Sequence, residues 1–192
     1  MELRDQVTEV LERYRQPALV ERFIRGREVT VGVLGNLAAP VARRLPEDLT
    51  ARRVERGLTF LPVLEVALDA YPESEGGVYT NRIKSEWAGR FQYRCPAPLP
   101  EELVERLIFL AAATFRVTGC CDVARVDFRL DADHDDEPYI LEVNPLPGLS
   151  PGVSDLVVEA EAAGMSHADL VNAIVEHAAV RLGKRPTLNV KR

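Results

Sequence analysis

The sequence is short of what several specialised classes of protein need. Its 192 residues include three cysteines, Cys95, Cys120 and Cys121, and one lone cysteine beside an adjacent pair cannot build a paired disulfide framework. A reducing, cytoplasmic setting is the expectation. The histidines, His134, His167 and His177, show no zinc-ligand spacing, which excludes a structural zinc site. No apolar run approaches the roughly 20 residues of a membrane span, and the opening MELRDQVTEV does not read as a signal peptide, so no membrane partner is expected. A basic excess is also missing: the net charge of -6 argues against a nucleic-acid partner. No glycine-rich phosphate loop is visible, because Gly76-Gly77 lacks the spacing of one, and there are no repeats or low-complexity stretches. Lysine is scarce too. Arginine outnumbers it 21 to 3, and Lys84 is the only lysine before residue 184.

What is present reads as one α+β domain over residues 1–192, with a mostly antiparallel sheet flanked by helices. ELRDQVTEVLERYRQP has helical spacing and stops near Pro17. ALVERFI and REVTVGVLGN read as two strands joined at Gly26, and LTFLPVLEVALD as a further strand or two. RRLPEDLTARRVERG is ambiguous, and the polar stretch YPESEGGVYTNRIKSEWAGR reads as an exposed loop. Helices are predicted near 101–116, 155–163 and 167–182, the last opened by a capping box of Ser166 and Asp169 and closed by Gly183.

Between these helices, VARVDFRLD and PYILEVNPLPGLS alternate polar and apolar residues with the period of half-buried strands. Arg125, Asp127 and Arg129 share one face of the first strand. Glu142 and Asn144 share one face of the second, with Leu141 and Val143 opposite. A solvated, salt-bridged sheet face is one account of this pattern. The other is a cation site. Two carboxylates and an amide carbonyl on neighbouring strands can hold one or two Mg²⁺ whose shells phosphates complete, and Arg125 beside them can stabilise charge on a transferring phosphoryl group. DADHDDEPYILE imitates a calcium-binding loop, with Asp131, Asp133, Asp135 and Glu142 at positions one, three, five and twelve. Its sixth position is Asp136 rather than glycine, Pro138 follows, and its flanks read as strands, so a solvated hairpin turn is the expectation.

Taken together, ARVDFRLD, YILEVNPLPGLS, SDLVVEAEAAGMSHADLVNAIVEHA and LVERFIRGREVTVGVLGN resemble the C-terminal catalytic portion of ATP-grasp enzymes, specifically D-alanine–D-alanine ligases. The resemblance covers nearly the whole chain in the family's order. It implies ATP as nucleotide, two Mg²⁺ ions (or Mn²⁺ in their place), small amino-acid substrates and a place in peptidoglycan biosynthesis; a homodimer is compatible with it. By position, Glu21, Arg22, Phe23 and Ile24 would follow the adenine edge and Glu28 would bind ribose hydroxyls. Lys84 would contact phosphate, and a compact ammonium there is not interchangeable with a guanidinium. Arg125 would stabilise the transferring phosphoryl group, and Asp127, Glu142 and Asn144 would hold the metal. Gly148 and Ser154 match the loop that receives the acceptor's carboxylate, Ser154 with one extra residue in the spacing.

Departures from the family pattern matter as well. Family members carry an N-terminal domain for the first amino acid and a central glycine-rich lid with another lysine, and neither is seen before Glu2. VYTNRIKSEW departs from the usual tyrosine-rich loop, with Ser85 after the lysine. The chain is therefore expected to be the C-terminal part of such a ligase, able to fold alone but not to catalyse. Three functions stay open: a D-alanine–D-alanine ligase portion, an ATP-grasp ligase for other amino acids, and a non-catalytic nucleotide-binding module.

Overall fold

The structure, a computed structural model, describes residues 2–37, 53–55, 57–67 and 93–184, the side chains of 53–55 excepted. Its described strands form one sheet, organised around β1 (Gly26–Gly35). On one side β1 pairs with β6 (Asp122–Asp131) along ten residues, from Gly26 opposite Asp131 to Gly35 opposite Asp122. On its other side lie β3 (Leu58–Phe60) and β4 (Leu64–Val66) in succession. Phe60 faces Val33 and Leu64 faces Thr30, so residues 61–63 span only two residues of β1, a bulge-like break between two short strands. β2 (Arg53–Glu55) extends the sheet beyond β3, β5 (Tyr93–Arg94) beyond β4, and β7 (Glu137–Asn144) beyond β6. Every pairing is antiparallel, as the sequence predicts.

The alternation of β1 and β6 divides the two faces. Val29, Val31, Val33, Val126, Phe128 and Leu130 point to one side. There they meet Leu107, Ile108, Ala111 and Phe115 of α2 (Glu101–Val117) in a core sealed from water. On the other side, Leu34, Leu61 and Val123 lie under α3 (Asp155–Ala162) and α4 (His167–Arg181). These helices cover only part of that face. α3 comes close at Gly32, where a Cβ would fall 2.3 Å from Glu159 Oε2, 2.7 Å from Leu156 Cδ1 and 2.9 Å from Leu61 Cδ1. Only the absence of a side chain lets the helix sit there. The capping box of α4 forms as expected, with Ser166 Oγ accepting from Asp169 N at 3.2 Å and Asp169 Oδ2 accepting from Ser166 N at 3.1 Å. Its far end is tied to the sheet by Arg181, which donates twice to Asp122 from Nε and once from Nη2.

One predicted strand is absent. ALVERFI has no regular secondary structure, and β1 begins only at Gly26. Gly26 has φ +146°, and a Cβ there would lie 1.8 Å from the Leu130 carbonyl oxygen. The chain therefore turns out of the sheet at this glycine, and the pairing with β6 ends at Asp131. Preceding that segment, α1 (Leu3–Tyr14) forms where its periodicity places it, with none of its residues buried.

Candidate active site

The β6–β7 register sets Arg125 opposite Asn144 and Asp127 opposite Glu142, so all four side chains rise from the half of the sheet face that α3 and α4 leave open. They touch one another. Arg125 donates from Nε to Asp127 Oδ1 and from Nη2 to Asp127 Oδ2, both at 2.8 Å. Thr30, across on β1, donates its hydroxyl to Asp127 Oδ1 at 2.6 Å. Asn144 Nδ2 donates to Asp127 Oδ2 at 3.1 Å and to Glu142 Oε1 at 2.9 Å. Between the Asp127 and Phe128 pairings the ladder slips, because Phe128 lies opposite Ile140. Leu141 is the extra residue of this bulge and stands exposed in the cleft wall rather than on the inner face beside Val143, where strict alternation would put it.

Burial decides the electrostatics here. On its own, burial would raise the Asp127 carboxyl, but the hydrogen bonds and charge of Arg125 hold it below the ordinary carboxylate range. Burial would likewise favour a neutral Arg125, yet the hydrogen bonds and charge of Asp127, together with the charge of Asp155, keep its guanidinium charged. Glu159, completely buried on α3, behaves differently. No side chain among the described residues hydrogen-bonds either of its oxygens, and burial pushes its carboxyl well above the ordinary range despite the pull of Arg125 and of the Gly32 backbone. The direction is that expected where burial penalises the charged form of an acid.

The open half-face is the floor of a cleft of about 710 Å³. Glu21, Arg22, Phe23 and Ile24 form one rim, and Tyr139, Ile140 and Leu141 part of another, with Glu28, Thr30, Arg125, Asp127, Glu142 and Asp155 also lining it. Glu28 lies within 3.3 Å of Arg129 Nη2, and the Phe23 ring lies against the same guanidinium at 5.7 Å. Residues 21–24 thus line the cleft as a segment held by side chains rather than as a strand of the sheet. Gly148 and Ser154 lie together at the start of α3. Ser154 Oγ accepts the Ser150 N–H at 2.9 Å, and a Cβ on Gly148 would come within 2.7 Å of that hydroxyl. Ser154 does not line the cleft; its neighbour Asp155 does. Lys84 lies outside the described residues.

The donor set fits a hard cation. Among the described residues no three histidines, cysteines or acids converge, and the ribbon offers two carboxylates and an amide instead. The Asn144 amide lies within 3.1 Å of both acids. Turning it over, an assignment that rests on the hydrogen-bond network alone, presents Oδ1 beside two carboxylate oxygens, an all-oxygen set. The calcium-like turn has other partners. Asp131 pairs with Arg22, Asp133 with Arg25 and Asp136 with Arg27, and positive φ at Asp135 and Asp136 shapes a tight turn.

Sequence reasoning missed four members of the site: Thr30, Tyr93, Arg129 and Asp155. Thr30 reads as an ordinary strand residue until the register places it across from Asp127. Arg129 was visible on the face of Asp127, but its pairing with Glu28 depends on the same register. Tyr93 and Asp155 meet only in three dimensions, the tyrosine hydroxyl donating to Asp155 Oδ1 at 2.9 Å.

Residues 59–176 match the family described as D-ala D-ala ligase C-terminus. A D-alanine–D-alanine ligase of Bordetella petrii is 35% identical over 170 residues, 88% of this chain and 44% of that protein. The chain thus spans under half the length of this curated relative. Among solved structures, the D-alanine–D-alanine ligase of Coxiella burnetii superposes with a TM-score of 0.65 at 21% identity, over 94% of this chain and 40% of that one. The Bacillus anthracis D-alanine–D-alanine ligase complexed with ATP gives 0.61 at 22% identity, over 95% and 49%. At these identities the superpositions show the fold, which is that of the C-terminal portion of an ATP-grasp ligase.

Proposed function

The chain belongs to the family of D-alanine–D-alanine ligase C-terminal domains, and from that premise we propose that its cleft binds Mg-ATP and forms the phosphoryl-transfer wall of a carboxylate–amine ligase acting on D-alanine. The observation that carries this reading is the convergence of Asp127, Glu142, Asn144 and Arg125 on one open sheet face. In the reaction, a substrate carboxylate oxygen attacks the terminal phosphorus of ATP, giving an acyl phosphate and releasing ADP. The amine of a second amino acid then attacks the acyl carbon, a C–N bond forms, a proton leaves the nitrogen, and phosphate departs.

Asp127, Glu142 and Asn144 would hold Mg²⁺, or Mn²⁺ in its place, which would supply charge neutralisation for the phosphates. The chain's own residues do the rest by placement. Glu21, Arg22, Phe23 and Ile24 flank the base and Glu28 reaches the ribose. Arg125, kept charged by its acidic neighbours, faces the phosphoryl oxygens. Lys84 is assigned a phosphate contact, and Gly148 and Ser154 the acceptor's carboxylate. No described helix is long and apolar enough to cross a membrane. We place the protein in the cytoplasm, in the synthesis of peptidoglycan precursors. A ligase for other amino acids is the second reading, favoured by Ser154 Oγ being engaged by its own loop and standing off the cleft.

The test is calorimetry with Mg-ATP alongside an assay of phosphate release in D-alanine. The chain alone should bind Mg-ATP weakly and release no phosphate, because phosphoryl transfer needs cations on both sides of the triphosphate and exclusion of water, and the described cleft supplies the metal-side wall. D-Alanine-dependent turnover of about 1 per second or more by the chain alone would contradict the division of labour proposed here. Absence of Mg-ATP binding would contradict the site.

A further inference from the structure

Arg125 is gripped from two sides, and only one grip belongs to the residues assigned above. Asp127 takes its Nε and Nη2 hydrogens, and Asp155 Oδ2 lies 3.1 Å from Nη1. Both acids are nearly covered, with side chains 12% and 13% exposed. Asp155 is itself held, since its Oδ1 accepts the Tyr93 hydroxyl at 2.9 Å. It occupies the first turn of α3, where the unpaired backbone N–H groups of a helix start favour a carboxylate. A guanidinium carries five N–H hydrogens. The hydrogen bonds to Asp127 use two, and the ion pair with Asp155 engages Nη1, which leaves N–H groups to meet a phosphoryl oxygen.

Asp127 has conflicting obligations. Its two oxygens serve Arg125, Thr30 and Asn144, and they are also the oxygens offered to a cation. A cation drawing on Asp127 weakens its hold on the guanidinium, and a long arginine side chain then regains rotamer freedom. Asp155 lies outside the metal set and bonds neither Glu142 nor Asn144 in any described contact. We propose that Asp155, fixed by Tyr93, is a positioning residue that keeps the Arg125 guanidinium aimed into the cleft when Asp127 is engaged by a metal–nucleotide complex. This inference rests on the Mg-nucleotide reading of the site.

An ion pair with a merely structural role would support the ground state and the charge-rich phosphoryl state equally. A positioning residue supports the second selectively. The experiment therefore compares the affinity of the chain for Mg-ADP with its affinity for Mg-ADP plus fluoroaluminate, a mimic of the transferring phosphoryl group. Wild type, Asp155→Asn, Tyr93→Phe and Arg125→Lys are measured together, with thermal melts to establish folding. Wild type should bind the mimic more tightly than Mg-ADP alone. Asp155→Asn should keep Mg-ADP affinity within about twofold and lose about tenfold in the tightening that fluoroaluminate brings, as Arg125→Lys should. Tyr93→Phe, which removes the hydrogen bond to Asp155, should lose about threefold. If Asp155→Asn and Tyr93→Phe retain the full tightening while Arg125→Lys loses it, the inference is overturned and the site stands. If wild type binds no Mg-ADP, or Arg125→Lys behaves as wild type, the reading of the site fails and takes the inference with it.

Discussion

Two sets of arginine–aspartate contacts occupy opposite ends of the same β6–β7 ribbon. At the hairpin end, Arg22, Arg25 and Arg27 face Asp131, Asp133 and Asp136. The Arg25–Asp133 pair there is 71% and 51% exposed. At the cleft end, Arg125 is clasped by Asp127 and Asp155, with the three side chains at most 13% exposed. The Arg25–Asp133 contact, at 2.7 Å, is as short as those at the cleft end, but its surroundings differ. Water screens the Arg25–Asp133 pair, so it fastens the chain before β1 against the turn and contributes little. At the cleft end the low-dielectric floor built by α3 strengthens each charge, shifts Asp127 and Glu159 in opposite directions, and holds a guanidinium ready beside two metal-competent acids. The acidic hairpin imitates a cation site in its spacing, whereas the cleft end is the one we propose to hold a cation.

Substitution at the two ends should separate them most sharply. Asp127→Ala removes one partner of a buried pair and should cost about 3–5 kcal/mol in urea unfolding, together with Mg-dependent nucleotide binding. Retained binding would mean that the metal sits elsewhere. Next comes the floor. Gly32→Ala drives a methyl group into Glu159 and Leu156 and should cost about 1–3 kcal/mol by overpacking; a neutral result would show that α3 can lift without penalty.

A smaller, pH-dependent effect is expected at Glu159, which is buried near Arg125, Asp155, Asp127 and Cys95. Its folded-state pKa is raised, so folding takes up a proton. The stability this contributes is fully present below the unfolded value of about 4.3 and is lost as pH rises toward the folded value. Glu159→Gln removes that loss. Its melting temperature relative to wild type should therefore climb as pH rises above the unfolded value of about 4.3. Parallel curves would place an ionised carboxylate in the core. The smallest effect belongs to the hairpin: Arg25→Ala should cost under about 1 kcal/mol and leave nucleotide affinity unchanged.

Much of this was legible from the chain alone. Period-two alternation in 123–131, helical spacing near 101–116 and the capping box at Ser166 all follow from local chemistry, and all are found. Local chemistry also misled. The segment before Gly26 has strand-like composition but no partner, because pairing is decided by the opposing strand and by a glycine whose φ no other residue adopts easily. Leu141 alternates correctly in sequence, yet it lies in a bulge that only the register of β6 reveals. Asp155 is an unremarkable helix-start acid until α3 packs on Gly32 and brings it to Arg125. Residues on one ribbon could be grouped by periodicity, but those contributed by a different layer could not.

The most direct test of the central claim follows the cation itself. With ATP present, Mn²⁺ in place of Mg²⁺ broadens the NMR signals of nuclei close to it. Side-chain and backbone amides at Asn144, at Arg125 and Asp127, and at Glu142 should broaden first, while those of Asp133, Asp135 and Asp136 stay sharp. Broadening centred on the hairpin, or none at either end of the ribbon, would contradict the account.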